Sequence, residues 1–235
     1  MRIHRLSDAD AVADAVADTL WPIFRDGGVI GLATGSTPIP VYRRLVERCR
    51  SEGFCADGLT TFNLDEYVGL PPTHEQSYRQ YMARHLFKPI GLPANQTHLP
   101  RGNVADLTAE CDTYEQKIRD AGGIDIQLLG LGRNGHIAFN EPGSSPDSST
   151  RVVDLAESTI RANARFFDSD ADVPRRAISM GIGTILRARR IVVMVCGESK
   201  RDAFERATTG SVSRDSPASL LRPHDQVDWF VTFSD

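Results

Sequence analysis

Apolar positions along the 235-residue chain follow two alternating rhythms. Between residues 8 and 24, Ala9, Val12, Ala13, Val16, Leu20 and Phe24 recur at helical spacing. Ser7 or Asp8 is placed to cap that helix. The same periodicity predicts helices over 39–50, 107–120 and 198–207, and a helix rich in aromatic and long side chains over 77–87. Short continuous apolar runs predict strands over 29–33, 60–64, 124–129, 191–196 and 227–232. Strands alternate with helices, and the strands are apolar on both faces. That combination predicts a parallel sheet covered on each side. The expected fold class is α/β: one domain over 1–235, with a mostly parallel, Rossmann-like open sheet and helices on both faces. The segments 143–149 and 210–217 are rich in Ser, Gly, Pro and Asp, so they are predicted to be surface loops, either of which could act as a lid.

Composition narrows the function classes. An apolar content of 40% is enough for a real core. A net charge of −4 and a pI of about 5.9, with no run of five basic residues, argue against nucleic acid as a partner. No segment approaches the roughly 18 apolar residues that a membrane helix needs. The N-terminus has no apolar core of the kind a signal peptide carries. The cysteines Cys49, Cys55, Cys111 and Cys196 show no Cys-x-x-Cys spacing, and Cys196 ends an apolar run as a core thiol would. This usage fits a reducing cytoplasm. No His-x-x-x-His pair is present, so no metal is expected.

Candidate chemistry is concentrated in four places. The segment Gly130 to Ser145, GLGRNGHIAFNEPGSS, follows a predicted strand and sets Asn134, His136 and Glu141 within eight residues. Glycines and a Pro-Gly break make it a poor core segment. It suits a proton-transfer group with two polar partners at the carboxyl end of a strand, where open α/β sheets bind ligands. The turn TGSTP at 34–38 joins a strand to a helix, and its small residues and hydroxyls suit an anion at a helix N-terminus. An ordinary Ser- or Thr-capped turn is the plainer alternative. The strand ending in Asp65-Glu66 places two acids side by side, which tends to raise the proton affinity of one. A solvated loop with a helix-capping acid would look the same. Finally, Arg161, Arg165 and Lys200 are cations in the second half, and Arg suits phosphate. Gly130, Gly132 and Gly135 also match a dinucleotide fingerprint, with Asp154 nineteen residues further on. That reading fails because Pro142-Gly143 breaks the chain where the fingerprint requires a helix.

Taken together, TGSTP at 34–38, FNLDEYVGL at 62–70, GHIAFNEPGSS at 135–145, RANARFF at 161–167 and GESK at 197–200 resemble the glucosamine-6-phosphate deaminase (glucosamine-6-phosphate isomerase) family. The blocks keep the family's order and span most of the chain. The resemblance implies aldose–ketose isomerisation with deamination: glucosamine 6-phosphate and water give fructose 6-phosphate and ammonia. It implies no cofactor and no metal. By matched position, Asp65 would take the C2 proton, His136 would move protons during ring opening, and Glu141 would orient and charge-tune His136. Asn134 would belong to the same group, although many members carry Asp there; an amide can position the imidazole but cannot share a proton. The relay is therefore expected to lean on Glu141. Gly35, Ser36, Thr37, Arg165 and Lys200 would hold the phosphate. Arg151 is followed by Val152 and Val153 where allosteric members carry further basic residues, so no activation by N-acetylglucosamine 6-phosphate is expected. A monomer or small homo-oligomer is expected.

Three other activities compete with this one. A 6-phosphogluconolactonase-like hydrolase shares the expected fold but lacks the FNEP carboxylate and the DEYVGL block. A non-catalytic sugar-phosphate sensor would have no use for Asp65, His136 and Glu141 together. A galactosamine-6-phosphate deaminase differs by one epimeric hydroxyl of its substrate.

Overall fold

The computed structural model describes residues 1–53, 58–164, 167, 169 and 172–234, without the side chains of 158, 162 and 163. Strand β1 (Arg2–Arg5) leads into helix α1 (Ala9–Asp26), whose first turn is capped by Asp8 accepting from the Ala11 N–H at 2.8 Å. Val12, Val16, Leu20 and Phe24 form its buried face. Strand β2 (Gly28–Leu32), helix α2 (Ile39–Ser51), strand β3 (Leu59–Asn63) and the short strand β4 (Asp65–Tyr67) follow. The region expected as one helix over 77–87 is α3 (Tyr78–Met82), a π-helical turn (Ala83–Phe87) and α4 (Lys88–Ile90), stopped by left-handed Gly91. Then come β5 (Thr97–His98), α5 (Leu107–Asp120), β6 (Ile126–Gly130), β7 (Arg151–Asp154), α6 (Glu157–Ala164), β8 (Arg176–Ser179), α7 (Ile182–Leu186), β9 (Arg190–Cys196), α8 (Arg201–Thr208) and β10 (Val227–Thr232).

Seven strands form one sheet in the order β1-β10-β9-β6-β2-β3-β5, every pair parallel. The expected α/β class and parallel sheet are present. Strand β10 is buried at every residue and β9 through its middle, as strands covered on both faces must be. After β2 the chain builds outward through β3 and β5. It then returns to the other side of β2 with β6 and builds outward through β9 and β10. The order therefore reverses between β2 and β6. In an open parallel sheet that is where a crevice opens beyond the carboxyl ends of the strands.

Three parts of the fold differ from expectation. Strand β1 was not predicted: its residues are mostly exposed, so it carries no apolar run. Buried Asp228 in β10 ties it down by accepting from Arg2 at 2.8 Å. A second, antiparallel sheet of β4-β8-β7 was not predicted either, because its strands have only three or four residues and lie far apart in sequence. Leu64 joins the two sheets. Its N–H donates to Leu32 of β2 at 3.1 Å, and its carbonyl accepts from Met180 at 2.7 Å. Cys196 is half-buried rather than a core thiol. No helix among the described residues is long and apolar enough to cross a membrane.

Candidate active site

The crevice at the reversal is a cavity of about 280 Å³. Four neighbouring strand ends feed it. The β2 end supplies Ala33 to Pro38, and the β3–β4 junction supplies Leu64 and Asp65. Gly130, Leu131, Gly132, His136, Ala138 and Phe139 come from the loop after β6, Lys200 from the turn after β9, and Tyr78 from α3. Six of the residues expected from sequence, Gly35, Ser36, Thr37, Asp65, His136 and Lys200, thus share one wall-to-wall space. Asn134 and Glu141 do not line it but stand behind His136. Arg165 lies outside the described residues.

Asp65 owes its place to strand alternation. Successive residues of β4 point to opposite sides, so Asp65 faces the cavity and Glu66 does not. The Glu66 carboxylate accepts from the N–H groups of Tyr67, Tyr78 and Arg79 at 3.0, 2.9 and 2.9 Å, which caps α3. Of the two acids, Glu66 is therefore the structural cap. Asp65 is 5% exposed, and its Oδ1 has no hydrogen-bond partner. Burial pushes its pKa up to about 8, with the Glu66 charge adding to the shift and a hydrogen bond from Thr34 opposing it. Sequence reasoning assigned the rise to the adjacent acid alone; desolvation is the larger cause.

The part of the lining that carries His136 is built by hydrogen bonds. Asn134 Nδ2 donates to Glu141 Oε2 at 2.6 Å, so its Oδ1 faces His136. That oxygen lies 2.8 Å from His136 Nδ1 and accepts the His136 backbone N–H at 3.2 Å. Glu141 Oε1 is 3.4 Å from the same ring nitrogen. The hydrogen bond to His136 is the main cause that holds the Glu141 carboxyl below its ordinary range. An ionised carboxylate only accepts and the amide oxygen only accepts, so the network assigns the proton of neutral His136 to Nδ1 and leaves Nε2 as the basic nitrogen. Asn134, rather than Glu141, is the nearer partner of the imidazole.

Backbone constraints fix this loop. A Cβ on Gly132 would sit 2.4 Å from the His136 ring, so that glycine makes room for the imidazole. Glycines read as a dinucleotide fingerprint thus seat a side chain, and the segment that follows contains turns and an isolated bridge, Ile137 to Asn140, instead of a helix. Asp154 sits at the exposed end of β7 in the second sheet. Buried Asn140, which sequence reasoning did not single out, donates to Ile137 at 3.0 Å and Met180 at 2.8 Å, and accepts from Arg151 at 2.9 Å. It fastens the loop to the second sheet. The two Ser/Gly-rich segments are surface loops bonded to each other, Gly143 N–H to Arg214 carbonyl, at 2.9 Å.

The third wall suits an anion. Among the described residues, the backbone N–H groups of Thr34, Gly35, Ser36 and Thr37 donate to no protein acceptor. Helix α2 begins just beyond them and has no side-chain cap, so the plainer alternative of a Ser- or Thr-capped turn is not what forms. Uncapped N–H groups beside a helix N-terminus form a concave nest for negative charge. Lys200 stands over the same cavity, its pKa lowered by burial and then by nearby Arg133. Thr34, from the turn read as an anion site, also lines the space, as do Tyr78 and Phe139, whose aromatic character reads as core in sequence.

At its reversal point the open parallel sheet thus gathers a nest of unpaired N–H groups, a buried carboxyl and a supported imidazole around one cavity. Residues 7–229 match the family described as glucosamine-6-phosphate isomerases/6-phosphogluconolactonase, and the chain belongs to that family. It is 55% identical over 207 residues to glucosamine-6-phosphate deaminase of Rhodopirellula baltica (strain DSM 10527 / NCIMB 13988 / SH1), covering 88% of this chain and 82% of the relative. It is 52% identical over 229 residues to glucosamine-6-phosphate deaminase of Geobacillus sp. (strain WCH70), covering 97% and 91%. A solved structure of a monomeric glucosamine-6-phosphate deaminase superposes with a TM-score of 0.94 at 41% identity, covering 98% of this chain and 96% of that one. A 6-phosphogluconolactonase from Thermotoga maritima shares the fold at 22% identity and a TM-score of 0.76, over 98% of each chain.

Proposed function

We propose that the protein is a glucosamine-6-phosphate deaminase that converts glucosamine 6-phosphate and water to fructose 6-phosphate and ammonia. The observation that carries this reading is the placement of Asp65 and His136 on the same cavity as an anion nest and Lys200. Relatives that carry this activity by name, at 50% identity or more, support it.

The phosphate sits against the N–H groups of residues 34–37 and Lys200, with Arg165 as a further cation. This anchoring fixes the reactive carbons without consuming any of them and supplies orientation to the chemical step. His136 Nε2 takes the anomeric hydroxyl proton and returns a proton to the ring oxygen, which opens the ring. Asn134 and Glu141 hold the tautomer that this requires. Asp65 then removes the C2 proton and delivers it to C1, while one proton of the substrate's ammonium group passes to the C1 oxygen, leaving a protonated imine at C2. Water adds to the imine, and ammonia leaves. The positively charged amino group of the substrate, brought next to Asp65, favours the ionised form that acts as base. Burial near neutrality places the Asp65 pKa where proton transfer is efficient.

The features that separate this activity from a lactonase are Glu141 behind the imidazole and Asp65 on the same cavity. Neither is needed to hydrolyse a lactone with one histidine. The monomeric deaminase that superposes on this chain favours a monomer here as well, to be checked by light scattering. The free thiols Cys49, Cys111 and Cys196 fit a reducing cytoplasm. The test is ammonia release from glucosamine 6-phosphate, beside the galacto epimer and 6-phosphogluconolactone, with no added metal or nicotinamide. Stoichiometric ammonia and fructose 6-phosphate support the reading. Lactone consumption without ammonia from the amino sugar refutes it, and faster turnover of the galacto epimer reassigns the substrate.

A further inference from the structure

Two tyrosines outside the cavity grip the carbonyls of the anion loop. Tyr42, fully buried on α2, donates its hydroxyl to the Ala33 carbonyl. Tyr81, on α3, donates to the Gly35 carbonyl at 2.5 Å. Neither ring lines the cavity. The flanking carbonyls are also occupied: Leu32 accepts from Leu64 at 3.1 Å, and Ser36 accepts from Ile39 at 3.4 Å.

A trans peptide is planar, so the N–H that follows a carbonyl points the opposite way. Holding the Ala33 oxygen on Tyr42 turns the Thr34 N–H away from Tyr42. Holding the Gly35 oxygen on Tyr81 does the same for the Ser36 N–H. Control matters here because Gly35 has φ of 99°, the left-handed region that a glycine enters without strain. A loop hinged on such a residue can turn its next peptide over, which would present a carbonyl oxygen instead of an N–H to a phosphate.

We propose that Tyr42 and Tyr81 are positioning residues for the anion site, clamping two loop carbonyls outward so that the Thr34 and Ser36 N–H groups stay directed at a phosphate. The inference rests on reading this cavity as a sugar-phosphate site. A buried phenol also needs a partner for its own sake, so a purely structural role is the competing account.

Tyr81→Phe separates the two, since it keeps the ring that packs on His85 at 4.6 Å and removes only the donor. Inorganic phosphate is titrated calorimetrically into wild type and variant, and steady-state kinetics are run beside it. The clamp predicts a phosphate Kd raised roughly tenfold, as one lost directed contact of this strength gives. KM rises by the same factor, while kcat changes less than about twofold because the contact is equal in ground and transition states. Tyr42→Phe should act in the same direction. If it fails to fold, Tyr81→Phe decides alone. An unchanged phosphate Kd in Tyr81→Phe overturns the clamp, as does a fall in kcat with KM unmoved. Wild-type protein that binds no inorganic phosphate overturns it too. Phosphate binding by a wild type that releases no ammonia would refute the deaminase reading and leave the clamp to be judged by the titration.

Discussion

The two parts of the cavity lining that carry its titratable groups are made in opposite ways. Asp65 is 5% exposed, sits on a strand and has an oxygen without a partner. The His136 side chain is 32% exposed and that of Glu141 25%, and both hang on a loop held by side-chain hydrogen bonds. On one side, chemistry comes from withholding partners: desolvation raises the proton affinity of a carboxyl. On the other it comes from supplying them: an amide and a carboxylate fix which imidazole nitrogen is basic. A sheet tolerates the first strategy because backbone pairing with β8, not the Asp65 side chain, holds the strand. A loop needs the second because its ring, packed over Gly132, has no strand to hold it.

If that contrast is right, the walls should fail differently. The loop wall should break most sharply by steric displacement. Gly132→Ala places a methyl 2.4 Å from the imidazole, and a ring pushed by about 1 Å should lower kcat roughly 10²-fold. Binding of inorganic phosphate, measured by calorimetry, should stay near wild type; weaker phosphate binding with unchanged kcat would contradict the assignment. The anchoring wall should show a smaller effect of another kind. Lys200→Ala should raise KM about tenfold with little loss of kcat, on the usual strength of one charge-assisted contact. An unaltered KM would remove Lys200 from the phosphate site.

The smallest effect concerns stability. The folded-state pKa of Asp65 is raised from 3.8 to about 8, so the protonated carboxyl favours folding. That contribution is fully present below about pH 3.8 and is lost as pH rises to about 8. An Asp65→Asn variant, which cannot ionise, should therefore gain stability over wild type progressively across that window. At pH 8 the gain should be on the order of 2 kcal/mol by urea unfolding, a fraction of the full linkage value of about 1.4 kcal/mol per pKa unit. A variant less stable than wild type at pH 8 would show that Asp65 is not strained by burial.

Sequence made the loop wall far more legible than the strand wall. Asn134, His136 and Glu141 lie within eight residues, so their meeting needs only a tight turn, which the glycines supply. The parallel sheet was legible for the same local reason, since each buried strand is a continuous apolar run. The division of labour between Asp65 and Glu66 was legible only through the family resemblance, not from the residues themselves. It depends on a three-residue strand whose partner, β8, lies more than a hundred residues further on. Cause as well as place was hidden: adjacency of two acids is visible in the chain, burial is not. Tyr78, Tyr42 and Tyr81 read as core aromatics, and only the packing of α2 and α3 against the β2 loop gives them other work. Strand β1 escaped notice because its exposed, charged residues carry no apolar signal.

The most direct test is turnover of glucosamine 6-phosphate by Asp65→Asn beside wild type, with inorganic phosphate affinity measured on both. The account predicts kcat lowered by roughly 10²-fold or more, the usual contribution of a general base, with KM and phosphate affinity nearly unchanged. Ammonia release at the wild-type rate from the variant would contradict it.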